Sequence, residues 1–303
     1  MKTPILLCAA LLAAVTAKAE FFQDVEYGNA GGVSLKLDIK TPEGQGPYAT
    51  VILVHGGGWN SGDKAMNVKP LFEPLTRAGI AWVSVNYRLA PLFHYPACVE
   101  DVETSIRWVK AHAKDYHLDP ERIALCGESA GGQIVDMVAV RATPETRVSA
   151  VVSFYAPCDL VADTEQHGRL SATMAGLFGL TGYDAAAKRV LDRGSALRYV
   201  SAGLPPFLLV HGTADPIVPY NQSVAWQNKL KGLGVACDLI SVPNGPHAMG
   251  NWEKIQPGYK DQVVTWLTDR FNVTVASGGR RTLPVGSALA SSIRVSSSTQ
   301  ARN

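Results

Sequence analysis

The stretch Arg122-Ile123-Ala124-Leu125-Cys126-Gly127-Glu128-Ser129-Ala130-Gly131-Gly132 decides the fold. A short apolar run enters it and an apolar-periodic run, Gln133 to Val140, leaves it, so a strand feeds a tight turn and a helix follows. A serine at the apex of such a turn has a strained backbone, and side chains two residues to either side would collide. Gly127 and Gly131 remove that collision, and Gly132 lets the helix pack close to the sheet. The G-x-S-x-G pattern marks either a nucleophilic serine at a strand end or a glycine-rich turn without chemistry. Partners elsewhere in the chain must decide.

Upstream, Ala49 to Val54 is a continuous apolar run, as expected of a strand covered on both faces. It ends in His55-Gly56-Gly57-Gly58-Trp59, where three glycines let the backbone approach a ligand and turn its N–H groups toward one place. Phe21 to Tyr27 and Val33 to Lys40 alternate about Gly28 to Gly32, which predicts a hairpin. Leu35, Leu37 and Ile39 should face the core, and Lys36, Asp38 and Lys40 the water. Ile80 to Tyr87 is a further buried strand. Pro96 opens a helix whose stripe is Val99, Val102, Ile106 and Val109.

Downstream, Ser149 to Tyr155 is a strand, and then Leu160 to Leu204 interrupts the alternation. Its middle, Met174 to Leu180, reads as apolar and flexible, and Ala185 to Leu197 as helical. This segment is expected to form a small cap over the site, with Leu177 and Phe178 as candidate substrate contacts. Strand Phe207 to Val210, helix Asn221 to Lys231, strand Val235 to Val242 and helix Tyr259 to Phe271 complete the series. The expected class is α/β: a mostly parallel sheet with antiparallel strands at its N-terminal edge and helices on both faces.

With 47% hydrophobic and 18% charged residues among 303, the chain can bury a large core. Met1 to Ala19 has the basic, apolar, small-x-small order of a secretory signal peptide, so export to the periplasm or medium is expected, without a membrane anchor. The body from Glu20 to Thr274, read as one catalytic domain, carries 22 bases against 26 acids, which offers nothing to nucleic acid. From Val275 onward, seven serines and four arginines without an acid predict a disordered tail. Cys98, Cys126, Cys158 and Cys237 are widely spaced and favour free thiols. No C-x-x-C or H-E-x-x-H occurs, so neither a metal site nor a cofactor is suggested, and the oligomeric state stays open.

Ser129 finds its partners further along. Asp215 lies on a loop directly after a strand, and His247 on another, giving the chain order Ser, Asp, His at strand ends. His55 and His211 read as loop-bracing groups and Glu128 as structural. Asp159, Asp163 and Asp184 belong to the cap without a supporting motif, and Asp238 sits in a strand. Trp59 is a candidate for the site mouth.

His55 to Trp59, Tyr87-Arg88-Leu89-Ala90-Pro91, Gly127 to Gly132 and His211-Gly212-Thr213-Ala214-Asp215 together resemble the α/β-hydrolase serine esterases of the HGGGW and GESAGG branch. The resemblance spans roughly residues 33 to 271. It implies an acyl-enzyme mechanism with Ser129 as nucleophile, His247 as base and Asp215 as its orienting acid. The N–H groups of Ala130, Gly57 and Gly58 would form the oxyanion hole. Many relatives carry a larger N-terminal helical cap; here some 35 residues between the expected cleavage site and His55 read as strands, so the site should be comparatively open. This form is similar to exported bacterial esterases that remove acetyl or feruloyl groups from plant polysaccharides, and short-chain acyl esters are the expected substrates. The alternatives are amide hydrolysis, arylformamidase-like or peptidase-like, by the same triad, and a non-catalytic binding protein on this fold.

Overall fold

A computed structural model describes residues 18–273. The expected tail, and the expected leader apart from Lys18 and Ala19, lie outside these residues. The N-terminal alternation forms the hairpin β1 (Phe21–Ala30) and β2 (Val33–Lys40). Its first strand runs three residues further than the glycines suggested, leaving Gly31 and Gly32 alone in the turn with φ of 57° and 79°. Both values are ones a two-residue hairpin turn demands.

The parallel part of the sheet is built from β3 (Tyr48–Val54), β4 (Ala81–Val85), β5 (Leu118–Glu128), β6 (Ala150–Phe154), β7 (Phe207–Gly212) and β8 (Cys237–Val242). The spatial order is β1-β2-β4-β3-β5-β6-β7-β8, antiparallel only at the first two junctions. Interleaved with the strands are α1 (Phe72–Arg77), α2 (Ala97–Ala111) and α3 (Ala130–Val140). The apolar run in β3 needs two cores. Ile52 and Val54 join the core under α2 and α3, while Val51 and Leu53 join the one on the opposite face. Every residue of β3 is buried, which explains the absence of alternation in its sequence.

Between β6 and β7 the expected cap is three short helices, α4 (Leu160–His167), α5 (Ala172–Phe178) and α6 (Ala185–Arg193). The flexible reading of Met174 to Leu180 gives way to helix because both ends are fixed. The Ser171 hydroxyl accepts the Met174 N–H at 3.2 Å, and Gly179 closes the turn at φ 64°. Asp159 and Asp184 cap α4 and α6 likewise, at 3.0 and 2.8 Å. Then α7 (Asn221–Gly232) packs on β7 and β8, and α8 (Trp252–Ile255) leads to α9 (Tyr259–Phe271), which covers the second face with α1. Cys98, Cys126, Cys158 and Cys237 are buried and unpaired among the described residues. Among the described residues no helix is long and apolar enough to cross a membrane.

Asp38 departs from the expected alternation. It is 6% exposed rather than in water. The loop that follows the triple glycine folds over this face of β2 and brings the Lys64 ammonium to 2.8 Å from Asp38 Oδ1 and 3.0 Å from Asp24 Oδ1. The Asp24 N–H donates to the same Asp38 oxygen at 2.8 Å. Alternation reports which residues point away from the main core, and it is blind to a loop that later covers them.

Removing one partner strands the other charge in a dry site. Lys64→Met should therefore cost about 3 kcal/mol in urea unfolding. The Lys64→Met/Asp38→Asn double variant, which discharges Asp38 but keeps its acceptor, should regain most of that loss.

Candidate active site

Ser129 stands between β5 and α3 with φ 54° and ψ −118°, a conformation that a non-glycine residue adopts only under constraint. The constraint is close packing. A Cβ on Gly127 would overlap the Gly131 carbonyl, and one on Gly131 would overlap the carbonyls of Val54 and His55. One on Gly132 would come within 2.7 Å of the Ala156 Cβ. The Ser129 N–H donates to Phe154 O at 2.9 Å, tying the turn to β6.

Asp215 and His247 arrive on two loops that hold one another. The Thr213 N–H donates to Val242 O at 3.0 Å and the Ala214 N–H to Gly245 O at 3.1 Å. A side chain on Gly212 would strike the Gly245 carbonyl, so the two loops approach as bare backbone. The result is a hydrogen-bonded line: Ser129 Oγ to His247 Nε2 at 3.0 Å, and His247 Nδ1 to Asp215 Oδ2 at 2.7 Å. The Tyr155 ring meets the imidazole edge-on with centroids 4.7 Å apart.

Burial alone would raise the Asp215 carboxyl, yet hydrogen bonds from His211 and His247 bring it well below the usual carboxylate range. The N–H groups of Ile217 and Val218 add to this by donating to its Oδ1 at 2.8 and 3.0 Å. His211, fully buried, places Nε2 3.0 Å from Val218 O and 3.4 Å from Asp215 Oδ2, and Nδ1 2.7 Å from Ser223 Oγ. Tyr155 and this bracing role of His211 toward Asp215 were not singled out in the sequence, although the i, i+4 spacing of His211 and Asp215 was visible there.

The glycine loop after β3 lies on the other side of Ser129. Gly57 and Gly58 have φ of 105° and 60°, and a Cβ on Gly58 would sit 2.8 Å from Thr173 Cγ2 of α5. Among the described residues, the N–H groups of Gly57, Gly58 and Ala130 donate to no other protein group. Glu128, read as structural, anchors this loop: its Oε1 accepts the Gly56 N–H at 2.5 Å. His55 braces the loop too, with Nδ1 2.7 Å from Gly56 O and its ring stacked on Tyr87 at 4.4 Å. The Tyr87 hydroxyl donates to His55 O at 2.9 Å.

Two cavities meet at Ser129. One of about 380 Å³ runs past Trp59 and Ala130 beneath the cap, to Asp163, Met174 and Ile217. The other, about 560 Å³, is walled by Glu128, Tyr155, His247 and Met249. Trp59 is buried in the smaller cavity's wall, its indole N–H donating to Gln133 Oε1 at 3.0 Å. Leu177 and Phe178 line neither. Leu177 is 1% exposed within the core, and Phe178 turns back onto Tyr95 with centroids 5.1 Å apart. Once α5 is helical, its apolar face is spent on anchoring the cap. Asp163, set aside in the sequence for want of a motif, does reach the cavity.

The geometry has counterparts among known proteins. The BD-FAE family model matches residues 37–230. Esterase LipQ of Mycobacterium tuberculosis is 30% identical over 239 residues, which is 74% of this chain and 56% of that protein. Ethyl acetate hydrolase of Pseudomonas putida is 25% identical over 79% of each chain. Among solved structures, a truncated carbohydrate esterase from gut microbiota superposes with a TM-score of 0.69 at 25% identity, over 84% of this chain and 96% of that one. The chain spans about half the length of three of the mycobacterial relatives that it matches, between 51% and 56%. The sheet order, the elbow and the family match over residues 37–230 lead to one assignment: the chain belongs to the BD-FAE family and has the α/β-hydrolase fold.

Proposed function

We propose that this protein is a serine carboxylesterase that cleaves short-chain acyl esters through an acyl-enzyme. The observation that carries the reading is the unbroken line Ser129–His247–Asp215 beside three unpartnered N–H groups. A serine hydroxyl is a poor nucleophile until a base takes its proton, and His247 Nε2 is within reach to do so. Asp215, kept ionised, accepts from Nδ1, which holds Nε2 as the free acceptor and stabilises the imidazolium that forms. As Oγ adds to the ester carbonyl, the oxyanion takes the N–H groups of Gly57, Gly58 and Ala130, each donor worth roughly 3 kcal/mol. The imidazolium then protonates the leaving alkoxide, and a water repeats the sequence to free the acid.

The two cavities divide these tasks. His247 must reach the leaving oxygen and borders only the larger space, so the alcohol departs through the 560 Å³ cavity. The acyl group takes the 380 Å³ cavity beside Ala130. Relatives named ethyl acetate hydrolase and acetylxylan esterase support a preference for acetyl esters, including those carried on polysaccharides. We also propose export, on the leader-like composition of Met1 to Ala19.

A panel of p-nitrophenyl esters from acetate to decanoate, with acetylated xylan, tests the substrate. The rate should peak at four carbons or fewer, and a peak at eight or more would overturn the short-chain reading. Ser129→Ala should lower kcat by roughly 10⁵–10⁶-fold and abolish fluorophosphonate labelling.

Asp215→Asn should lower kcat by about 10³–10⁴-fold, because the amide favours the wrong imidazole tautomer. Its effect on stability has a definite sign. A carboxyl held below its unfolded value stabilises above that value, about pH 4, and loses this as pH falls through its folded value. Chemical denaturation from pH 6 to pH 2 should show the wild type losing stability below about pH 4 and Asp215→Asn losing less.

A further inference from the structure

Three buried side-chain atoms lack a hydrogen-bond partner among the described residues: Asp136 Oδ1, Trp226 Nε1 and Asp163 Oδ1. Asp136 and Trp226 belong to the core, where the Ser153 hydroxyl donates to the other Asp136 oxygen at 3.0 Å. Asp163 is different. It sits on α4 of the cap, is 6% exposed, and forms part of the wall of the 380 Å³ cavity at Ser129. Its Oδ2 is 3.7 Å from His167 Nδ1, too long for a hydrogen bond, and that nitrogen is already 2.9 Å from the Asp163 carbonyl.

The polar neighbours on the same wall do not supply a donor. The Ser171 hydroxyl caps α5 and lies 3.1 Å from Thr173 Oγ1. Arg169 is exposed at the rim. An unsatisfied buried acceptor costs stability, so a side chain of this kind is poorly explained by packing. Burial lifts the Asp163 carboxyl to about 6, against the pull of His167 and with the push of Asp215 and Asp159.

We propose that Asp163 is a specificity-determining residue that accepts a hydrogen bond from a hydroxyl on the acyl group, so that short aliphatic hydroxyacyl esters are the preferred substrates. The assignment rests on reading Ser129 as the nucleophile and the smaller cavity as the acyl side. A carboxylated acyl group would be repelled by Asp163. An ammonium would meet the Arg169 guanidinium on the same wall. A neutral hydroxyl meets the Asp163 carboxyl where it borders the cavity without either conflict. At 380 Å³ the space is near the small end of ligand pockets.

The test compares kcat/KM on pairs of ethyl esters in which one acyl carbon carries either a hydroxyl or a methyl. Suitable pairs are the 2- and 3-hydroxybutanoates with the 2- and 3-methylbutanoates, and 5-hydroxyhexanoate with 5-methylhexanoate. A site built around a hydroxyl discriminates strongly against an analogue lacking it. The wild type should favour the hydroxyl member of at least one pair by about tenfold or more. Asp163→Leu should bring that ratio to about one and, by removing the unsatisfied acceptor, raise Tm by roughly 2–4 °C. Asp163→Asn keeps an acceptor oxygen and should retain part of the preference, which guards against a leucine variant that fails to fold. Methyl preference in every pair, or a ratio unchanged in Asp163→Leu, overturns the proposal. An enzyme active on ethyl acetate but indifferent to the hydroxyl defeats only the Asp163 assignment. One inactive on ethyl acetate and on all pairs defeats the esterase reading and this proposal with it.

Discussion

The backbone approach between β3 and the β5–α3 turn is the constraint on which the site depends. Gly131 lies so close to the carbonyls of Val54 and His55 that no side chain fits there. That contact sets Ser129 against the end of the very strand that continues into the glycine loop. Ser129 and the N–H groups of the glycine loop are thus fixed to one another through two neighbouring strands of the sheet, paired Val54 to Gly127. The bond from the Gly56 N–H to Glu128 repeats the link on the far side of the turn. A strained φ at Ser129 costs on the order of 1–3 kcal/mol, and the surrounding strands hold it in place.

Asp215 and His247 rely on a second backbone contact, Gly212 against Gly245. With no side chain between them, the loops after β7 and β8 hydrogen-bond directly, which brings His247 to Asp215. Burial would push the Asp215 proton uptake the wrong way. Two histidines and two backbone N–H groups reverse it, so the local field, rather than exposure, keeps this carboxylate charged.

Much of this was legible in the chain because glycine and apolar runs have few alternative meanings. β3 and β5 are continuous apolar segments bounded by glycines, and the sheet follows from them. Ser129, Asp215 and His247 could be picked out by their order and their position after strands. What escaped depended on long-range packing. Asp38 reads as a solvent-facing residue until Lys64, 26 positions later, closes over it. Leu177 and Phe178 read as pocket residues because their segment is apolar, yet the caps at Ser171 and Gly179 turn that face toward the core. Asp163 has no local signature at all. Its standing comes from where a short helix sets it down, beside a cavity whose other wall belongs to loops that follow distant strands.

The contact between Thr173 and Gly58 has a mechanical meaning. The Thr173 methyl rests where a Gly58 side chain would begin, so α5 lies directly on the glycine loop and borders both cavities. Lifting the cap would remove the support from the Gly58 backbone. Access to the cavities and the position of the loop are therefore tied together at a single van der Waals contact: the helix that walls both cavities is also the weight that holds the glycine loop down.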